Sequence, residues 1–345
     1  VITDRKFGST ILSCGRIIVA EVGLAVAVAG LAVFDSGSMA GGVALAAAGL
    51  LLTVLAVSPL GKLDRTHPTV PSGPPAPAAT AELGALAGIL PSARLTECSI
   101  QSSPPVGILT DGQGFAAVLE LEHTALPTLD LAALTEHLAS DPATPSGLQI
   151  LVEHSQKRRR LLLAVRHEPL FAPDATTARG GGAHGASKAA AATALRLRAV
   201  LTQRGIRTSI LPRNALRDAV LTLGDASHQG QLRTDAWITP AAAHCVLAAA
   251  PRSPQHWEHL LAAASTGPAD RTIVALSVEM TGKLATIRAA VRIVARDHQR
   301  AMAARSTMLS TATVRPLSGR QAAGVHLSLP FGGTPRNLTH AIVKH

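Results

Sequence analysis

Residues 17–57 read IIVAEVGLAVAVAGLAVF, then DSGS, then MAGGVALAAAGLLLTVLAV. Ile17–Phe34 carries one charge, Glu21, and Met39–Val57 carries none, with Asp35-Ser36-Gly37-Ser38 between them. At ~1.5 Å of rise per residue each run is ~27–28 Å long as a helix, which matches a hydrocarbon core of ~30 Å. A helix bonds its own backbone groups, as lipid requires. The stretch predicts a transmembrane hairpin within residues 1–60. Arg5, Lys6 and Arg16 precede it, Lys62 and Arg65 follow it, and the outer turn holds no Lys or Arg. Basic flanks mark the cytoplasmic side, so the expectation is a two-pass plasma-membrane protein with both termini and its main domain in the cytoplasm.

A secretory signal peptide has one apolar region of ~7–15 residues ahead of a cleavage site. Ala25-Val26-Ala27 imitates such a site, but a second apolar run follows at once. Glu21 sits near the predicted interface, within reach of headgroups; a contact with another membrane subunit is its other reading. Gly23, Ala27 and Gly30, and likewise Gly41, Gly42 and Gly49, allow close helix packing.

Beyond the hairpin, Thr66–Thr80 holds Pro68, Pro71, Pro74, Pro75 and Pro77, a semi-extended linker within residues 61–80. Residues 81–335 remain for a cytosolic domain, with 336–345 as a tail. Aromatics are 2% of the chain and Tyr is absent, so Leu, Val, Ile and Ala must fill the core. Cys14, Cys98 and Cys245 are odd in number and widely spaced, as expected of reduced thiols rather than a metal site. A net charge of +10 raises nucleic acid as a partner, but the aromatics that stack on bases are too few, and no nucleic acid is expected. Lys157-Arg158-Arg159-Arg160 lies between two strand-like segments and reads as a solvated turn, with attraction to anionic headgroups as the alternative.

Along the domain, Ala81–Leu90 reads as a short helix, and Leu95–Gln101, Val106–Thr110 and Phe115–Leu121 as strands. Asp111-Gly112-Gln113-Gly114 is a hairpin turn. Leu129–Ser140 is a helix, Leu148–Glu153 and Leu161–His167 are strands, and a long helix ends at Gln203. Ile206–Leu211 is a strand, Arg213–Leu223 a helix and 224–235 a loop. His244–Ala250 is a strand, Pro254–Ser265 a helix, Ile273–Met280 and Ala285–Ala295 strands, Asp297–Met308 a helix, and Val325–Leu329 a final strand. Strands in adjacent pairs predict a mixed or antiparallel sheet with packed helices, an α+β or mixed α/β domain. No period of 20–50 residues repeats.

Gly180–Gly185 formally matches G-x-G-x-x-G ahead of a helix, where free amides and the helix dipole hold phosphate. The glycines do not directly follow a strand, and Ile206–Leu211 carries no terminal acid for a ribose, so a flexible helix entry is the plainer reading. His256 and His259 flank Glu258 on one helix without the further ligands zinc needs. His244 and Cys245 are strand neighbours and point to opposite faces, a poor base–nucleophile pair. No catalytic, cofactor-binding or metal-binding residues are assigned from the sequence, and no cofactor is expected.

The order of parts is itself informative. A hairpin and linker, then Val106–Leu121 with its Asp111-Gly112-Gln113-Gly114-Phe115 turn, then Ala178–Gly185 opening an Arg- and Ala-rich helix, then Leu329-Pro330-Phe331-Gly332-Gly333, resembles the actinobacterial type VII secretion protein family EccE. The resemblance implies a structural, non-enzymatic membrane subunit of the ESX export machine, assembled with EccB, EccC and EccD components in the lipid bilayer. The alternative from another class is a membrane-anchored nucleotide- or sugar-binding enzyme using the Gly180–Gly185 loop.

Overall fold

The computed structural model describes residues 82–333, apart from positions 85, 102, 123–128, 156–158, 226–229, 252 and 282–283. The predicted hairpin with Glu21, the linker, the tail, Cys14, Lys157 and Arg158 lie outside the described residues. No helix among the described residues is long and apolar enough to cross a membrane.

The strands are β1 (Arg94–Cys98), β2 (Val106–Thr110), β3 (Phe115–Leu121), β4 (Gly147–Ser155), β5 (Arg159–His167), β6 (Thr208–Ile210), β7 (Gln231–Leu232), β8 (Trp237–Ile238), β9 (Ala243–Ala249), β10 (Arg271–Thr281), β11 (Leu284–Ala295) and β12 (Val314–Pro316). The helices are α1 (Leu86–Ile89), α2 (Leu131–Ala139), α3 (Pro173–Thr177), α4 (Gly182–Gln203), α5 (Arg213–Gly224), α6 (Pro254–Thr266), α7 (His298–Thr311) and α8 (Gln321–Leu327). The strands make one sheet, ordered β1-β2-β3-β5-β4-β10-β11-β9-β8-β7, with β6 added to β3 and β12 to β9. Every pairing is antiparallel. The fold is thus α+β, built on a large antiparallel sheet.

That order reads the same from either edge. β1-β2-β3-β5-β4 and β7-β8-β9-β11-β10 are two copies of one arrangement, joined where β4 pairs with β10. Leu151 and Ala275 face each other at the midpoint of that ladder. The helices follow the same scheme: β3, α2, the β4–β5 hairpin, α4, β6 and α5 in one half, and β9, α6, the β10–β11 hairpin, α7, β12 and α8 in the other. The unit is far longer than 20–50 residues, and its two copies share little side-chain identity.

The sheet is buried on both faces, which is why strands such as β5 read as nearly continuous apolar runs. One face packs on α2, α4, α6 and α7, through Leu119, Leu163, Val165, Leu247, Val274 and Val291. The other packs on α1, α5 and α8, through Leu109, Leu162, Ile273 and Val294. α4 presents Ala186, Ala190, Ala194, Leu197 and Leu201 at helical spacing, and the small alanines let its backbone approach the sheet closely. Side-chain caps start the other helices of this face: Asp130 accepts from the Ala133 amide, Ser253 from His256 and Asp297 from Arg300.

Several expectations need correction. Val325–Leu329 is not a strand: Gln321–Leu327 is helical, a short apolar run being ambiguous in period. The expected loop at 224–235 contains β7, and β8, β12 and α3 were too short to read. The basic run is not wholly a solvated turn. Arg159 and Arg160 belong to β5, and Arg160 is buried, its guanidinium donating from Nε to Glu120 at 2.7 Å.

Candidate functional site

Three short sequence motifs that lie far apart in the chain meet at the end of β5, on Arg166, His167 and Glu168. Arg166 is 1% exposed. Its Nη1 and Nη2 donate to both carboxylate oxygens of Asp111 at 3.0 and 3.1 Å, and its Nε to Glu168 at 2.6 Å. Nη1 also donates to the Phe331 carbonyl at 3.2 Å. Asp111 belongs to the β2–β3 turn, where it also accepts from the Gln113 and Gly114 amides. Phe331 belongs to the segment after α8. From α8 itself, the His326 Nε2–H donates to Asp111 at 3.2 Å, and the His326 ring stacks on Phe331 with centroids 4.2 Å apart.

The glycines of these motifs are explained by the same guanidinium. A Cβ at Gly114 would lie 2.3 Å from Arg166 Cζ, and one at Gly332 would lie 2.7 Å from Arg166 Cβ, where φ is also +76°. Gln149 of β4 ties the closing segment down, donating to the Leu327 carbonyl at 2.6 Å and accepting from the Gly332 amide at 3.0 Å.

The electrostatics are those of a fixed ion network. Burial alone would raise the Asp111 carboxyl, but the His326 hydrogen bond and the Arg166 charge outweigh it and hold it well below the usual carboxylate range. Burial works against the Arg166 charge, yet Asp111 and Glu168 raise its affinity for the proton. Burial, aided by Arg166, keeps His326 below its ordinary value despite Asp111. The network therefore carries a guanidinium and two carboxylates, with a neutral imidazole as donor. Its charged groups bind one another.

His167, the next residue, points to the opposite face and shares a 2.9 Å hydrogen bond between Nε2 and Thr176 Oγ1. Thr176 lies in the last turn of α3, and its carbonyl accepts from the Gly181 amide, while the Thr177 carbonyl accepts from Gly180. Two amides of the Gly180–Gly185 loop are thus already bonded in closing α3. Gly180, Gly181 and Gly182 all have positive φ, and a Cβ at Gly185 would lie 2.2 Å from the Thr176 carbonyl oxygen. Each glycine serves the sharp entry into α4.

A second buried polar cluster lies under the C-terminal end of α5 and was not foreseen. Arg271 donates to Glu153 at 3.2 Å, to the Thr222 carbonyl at 2.6 Å and to Asp225. Arg292, fully buried, donates from Nη2 to the Leu223 carbonyl. Two guanidiniums thus sit on the negative end of the α5 dipole. Burial and the neighbouring Arg271 lower Arg292 to about 9, against the pull of Asp225 and Glu153. His244, stacked against Trp237 with centroids 4.6 Å apart, is lowered to about 2 by burial, Arg292 and Arg271. Asp225 takes the left-handed conformation, φ 46°, that ends α5. A cation deep in an apolar strand pattern was the available signal at both clusters, because Arg166 and Arg292 fall in buried rows.

The other candidates stay apart. His244 and Cys245 face opposite sides of the sheet, as the alternation requires; Cys245 lies beside Met302, with its thiol raised to about 11 by burial. His256, Glu258 and His259 lie on α6, and His259 Nε2 donates to the Thr311 carbonyl at 2.7 Å. No group of three or more potential metal ligands occurs among the described residues.

The fold and site together describe a duplicated antiparallel sheet domain whose most ordered chemistry is a structural ion network. Residues 155–262 match the family described as "Putative type VII ESX secretion system translocon, EccE". The matched stretch runs from the end of β4 to α6 and contains Arg166, His167, Glu168 and the Gly180–Gly185 loop, so the resemblance read from the motifs holds there. No curated protein matches the chain.

Proposed function

We propose that the chain is a structural, non-enzymatic membrane subunit of a type VII (ESX) secretion translocon, associated with EccB, EccC and EccD components. The observation that carries this reading is the EccE family match over residues 155–262. The hairpin of residues 17–57 anchors the domain of residues 81–335 at the cytoplasmic face of the plasma membrane. Tethering raises the domain's effective concentration against neighbouring subunits without any new contact. The ion network then has a mechanical role, because a subunit that only holds others in place needs a rigid body rather than a reactive centre.

The test is purification of the C-terminally tagged chain in mild detergent, with identification of the membrane proteins that accompany it. Other type VII components in constant ratio to the chain are the expected result. Recovery of the chain alone, from membranes in which those components are present and intact, would overturn the reading.

A further inference from the structure

The duplication supplies an internal control for the β10–β11 hairpin. β4 and β5 are 9 residues long each, whereas their counterparts β10 and β11 are 11 and 12. β3 pairs along β5 from Leu161 to His167 and leaves only Arg159 and Arg160 beyond its end. β9 pairs along β11 from Ala289 to Ala295 and stops, and the chain then turns into α6. Residues 284–288 of β11 therefore pair with β10 on one side and, among the described residues, with no strand on the other. Open edges are usually blunted by charge or kept very short. This one presents Ile287, 47% exposed, on the side of the sheet that carries Ala289 and Val291.

Arg288 points to the other side, and the first half shows what it lacks. Phe115 pairs with His167 as Ala243 pairs with Ala295, so Arg288 corresponds to Arg160 and Ala248 to Glu120. Glu120 grips Arg160 at two points, 2.7 and 3.0 Å, from a position opposite Leu162, two residues along. Ala248 offers Arg288 no such group. The ion pair Arg288 does make is a looser one, 3.6 Å to Glu279 on β10, and its buried Nη1 has no hydrogen-bond partner. The guanidinium is one carboxylate short of its counterpart.

We propose that the outer edge of residues 284–288 takes up an extended segment of another protein as an added antiparallel strand. Unpaired backbone groups along an edge are met in full only by another strand, and the alternation of side chains then sets its sequence. The residue opposite Ile287 is apolar. Its neighbour opposite Thr286 is a glutamate, two residues along from Arg288, which repeats the Glu120–Arg160 arrangement from the other direction. A second copy of β11 brings no acid to this edge, and residues 334–345 contain none, so the occupant is a different chain. The proposal stands independently of membership in a secretion complex.

The test is fluorescence anisotropy of the full-length chain in detergent with capped, labelled peptides Thr-Thr-Val-X-Val-Thr-Thr, in which X is Glu, Gln or Lys. Saturable binding of the Glu peptide is expected, with the Gln peptide about tenfold weaker and no binding of the Lys peptide or of a Glu peptide N-methylated at both valines. Arg288→Gln should remove the preference for Glu over Gln. Ile287→Lys, an exposed change that places a charge on the edge, should abolish binding with the melting temperature unchanged, and it decides the matter if the Arg288 variant misfolds. Absence of saturable binding of the Glu peptide, or binding that Ile287→Lys leaves intact, overturns the site. Equal binding of all three peptides overturns the acidic partner. Sedimentation showing self-association that Ile287→Lys abolishes overturns the foreign strand in favour of a second copy.

Discussion

Arg166→Met keeps the length of the side chain and leaves Asp111 and Glu168 as buried carboxylates without their cation. Removing one partner of a buried ion pair typically costs ~3–5 kcal/mol, far above the worth of an exposed pair. Urea denaturation of the detergent-solubilised chain should show a loss of that size, and a loss below ~1 kcal/mol would contradict the network described above. His167 adds a pH dependence. Burial first, with Arg179, lowers it from 6.5 to about 4 against the pull of Asp141. Between those values the unfolded chain binds the proton and the folded chain does not, so stability is full above pH ~6.5 and falls as pH drops towards 4. A shift of this size is worth roughly 3 kcal/mol. Asp111 contributes in the same direction but only below pH ~4, where the unfolded carboxyl protonates. Acid titration of the folded fraction should therefore show a first decline, shared with the half-buried His154 and the buried His244 and His326, that His167→Gln reduces but does not abolish, and a loss below pH ~4 from Asp111 that it leaves alone.

At the level of elements, the strands with strong apolar patterns were legible: Phe115–Leu121 has the expected bounds, and the hairpin turn at Asp111 is where Asp-Gly placed it. The short pieces were not, since β7 and β8 have too few residues to show a period. The turn was readable as a turn, but its second role as the seat of a distant arginine was invisible, because a local pattern does not record what packs on it. The glycines tell the same story. Gly332→Ala should cost ~1–3 kcal/mol, since the new methyl meets Arg166, itself pinned on every nitrogen, at a backbone conformation strained for alanine. Gly88→Ala, where nothing lies within 4 Å, is the control and should be neutral or slightly stabilising. Thermal melts of the two variants check both statements.

For the whole molecule, the palindromic sheet was beyond sequence reading because FAAVLEL and AHCVLAA, its matching third strands, share only a small-and-apolar character. The likeness lies in strand order and pairing rather than in side chains. The proposed membrane anchor is the opposite case, resting on the sequence alone through length, charge and flanks. An Arg at the middle of a span costs ~2.5–3.5 kcal/mol on insertion scales, so Leu50→Arg should leave the chain in the soluble fraction or degraded. Carbonate extraction of membranes from cells making that variant measures this directly, and wild-type retention would count against the proposed anchoring.

The closing segment after α8 has a consequence for biosynthesis. Arg166 emerges from the ribosome long before Phe331 and His326, which complete its surroundings, and β10, the central partner of β4, also comes late. Until these later segments emerge, the nascent first half holds a half-solvated guanidinium and an open strand edge, the kind of edge that recruits unintended partners. Maturation thus waits on the segment after α8, and a stop codon just before Leu329 would release a polypeptide whose central clamp never closes.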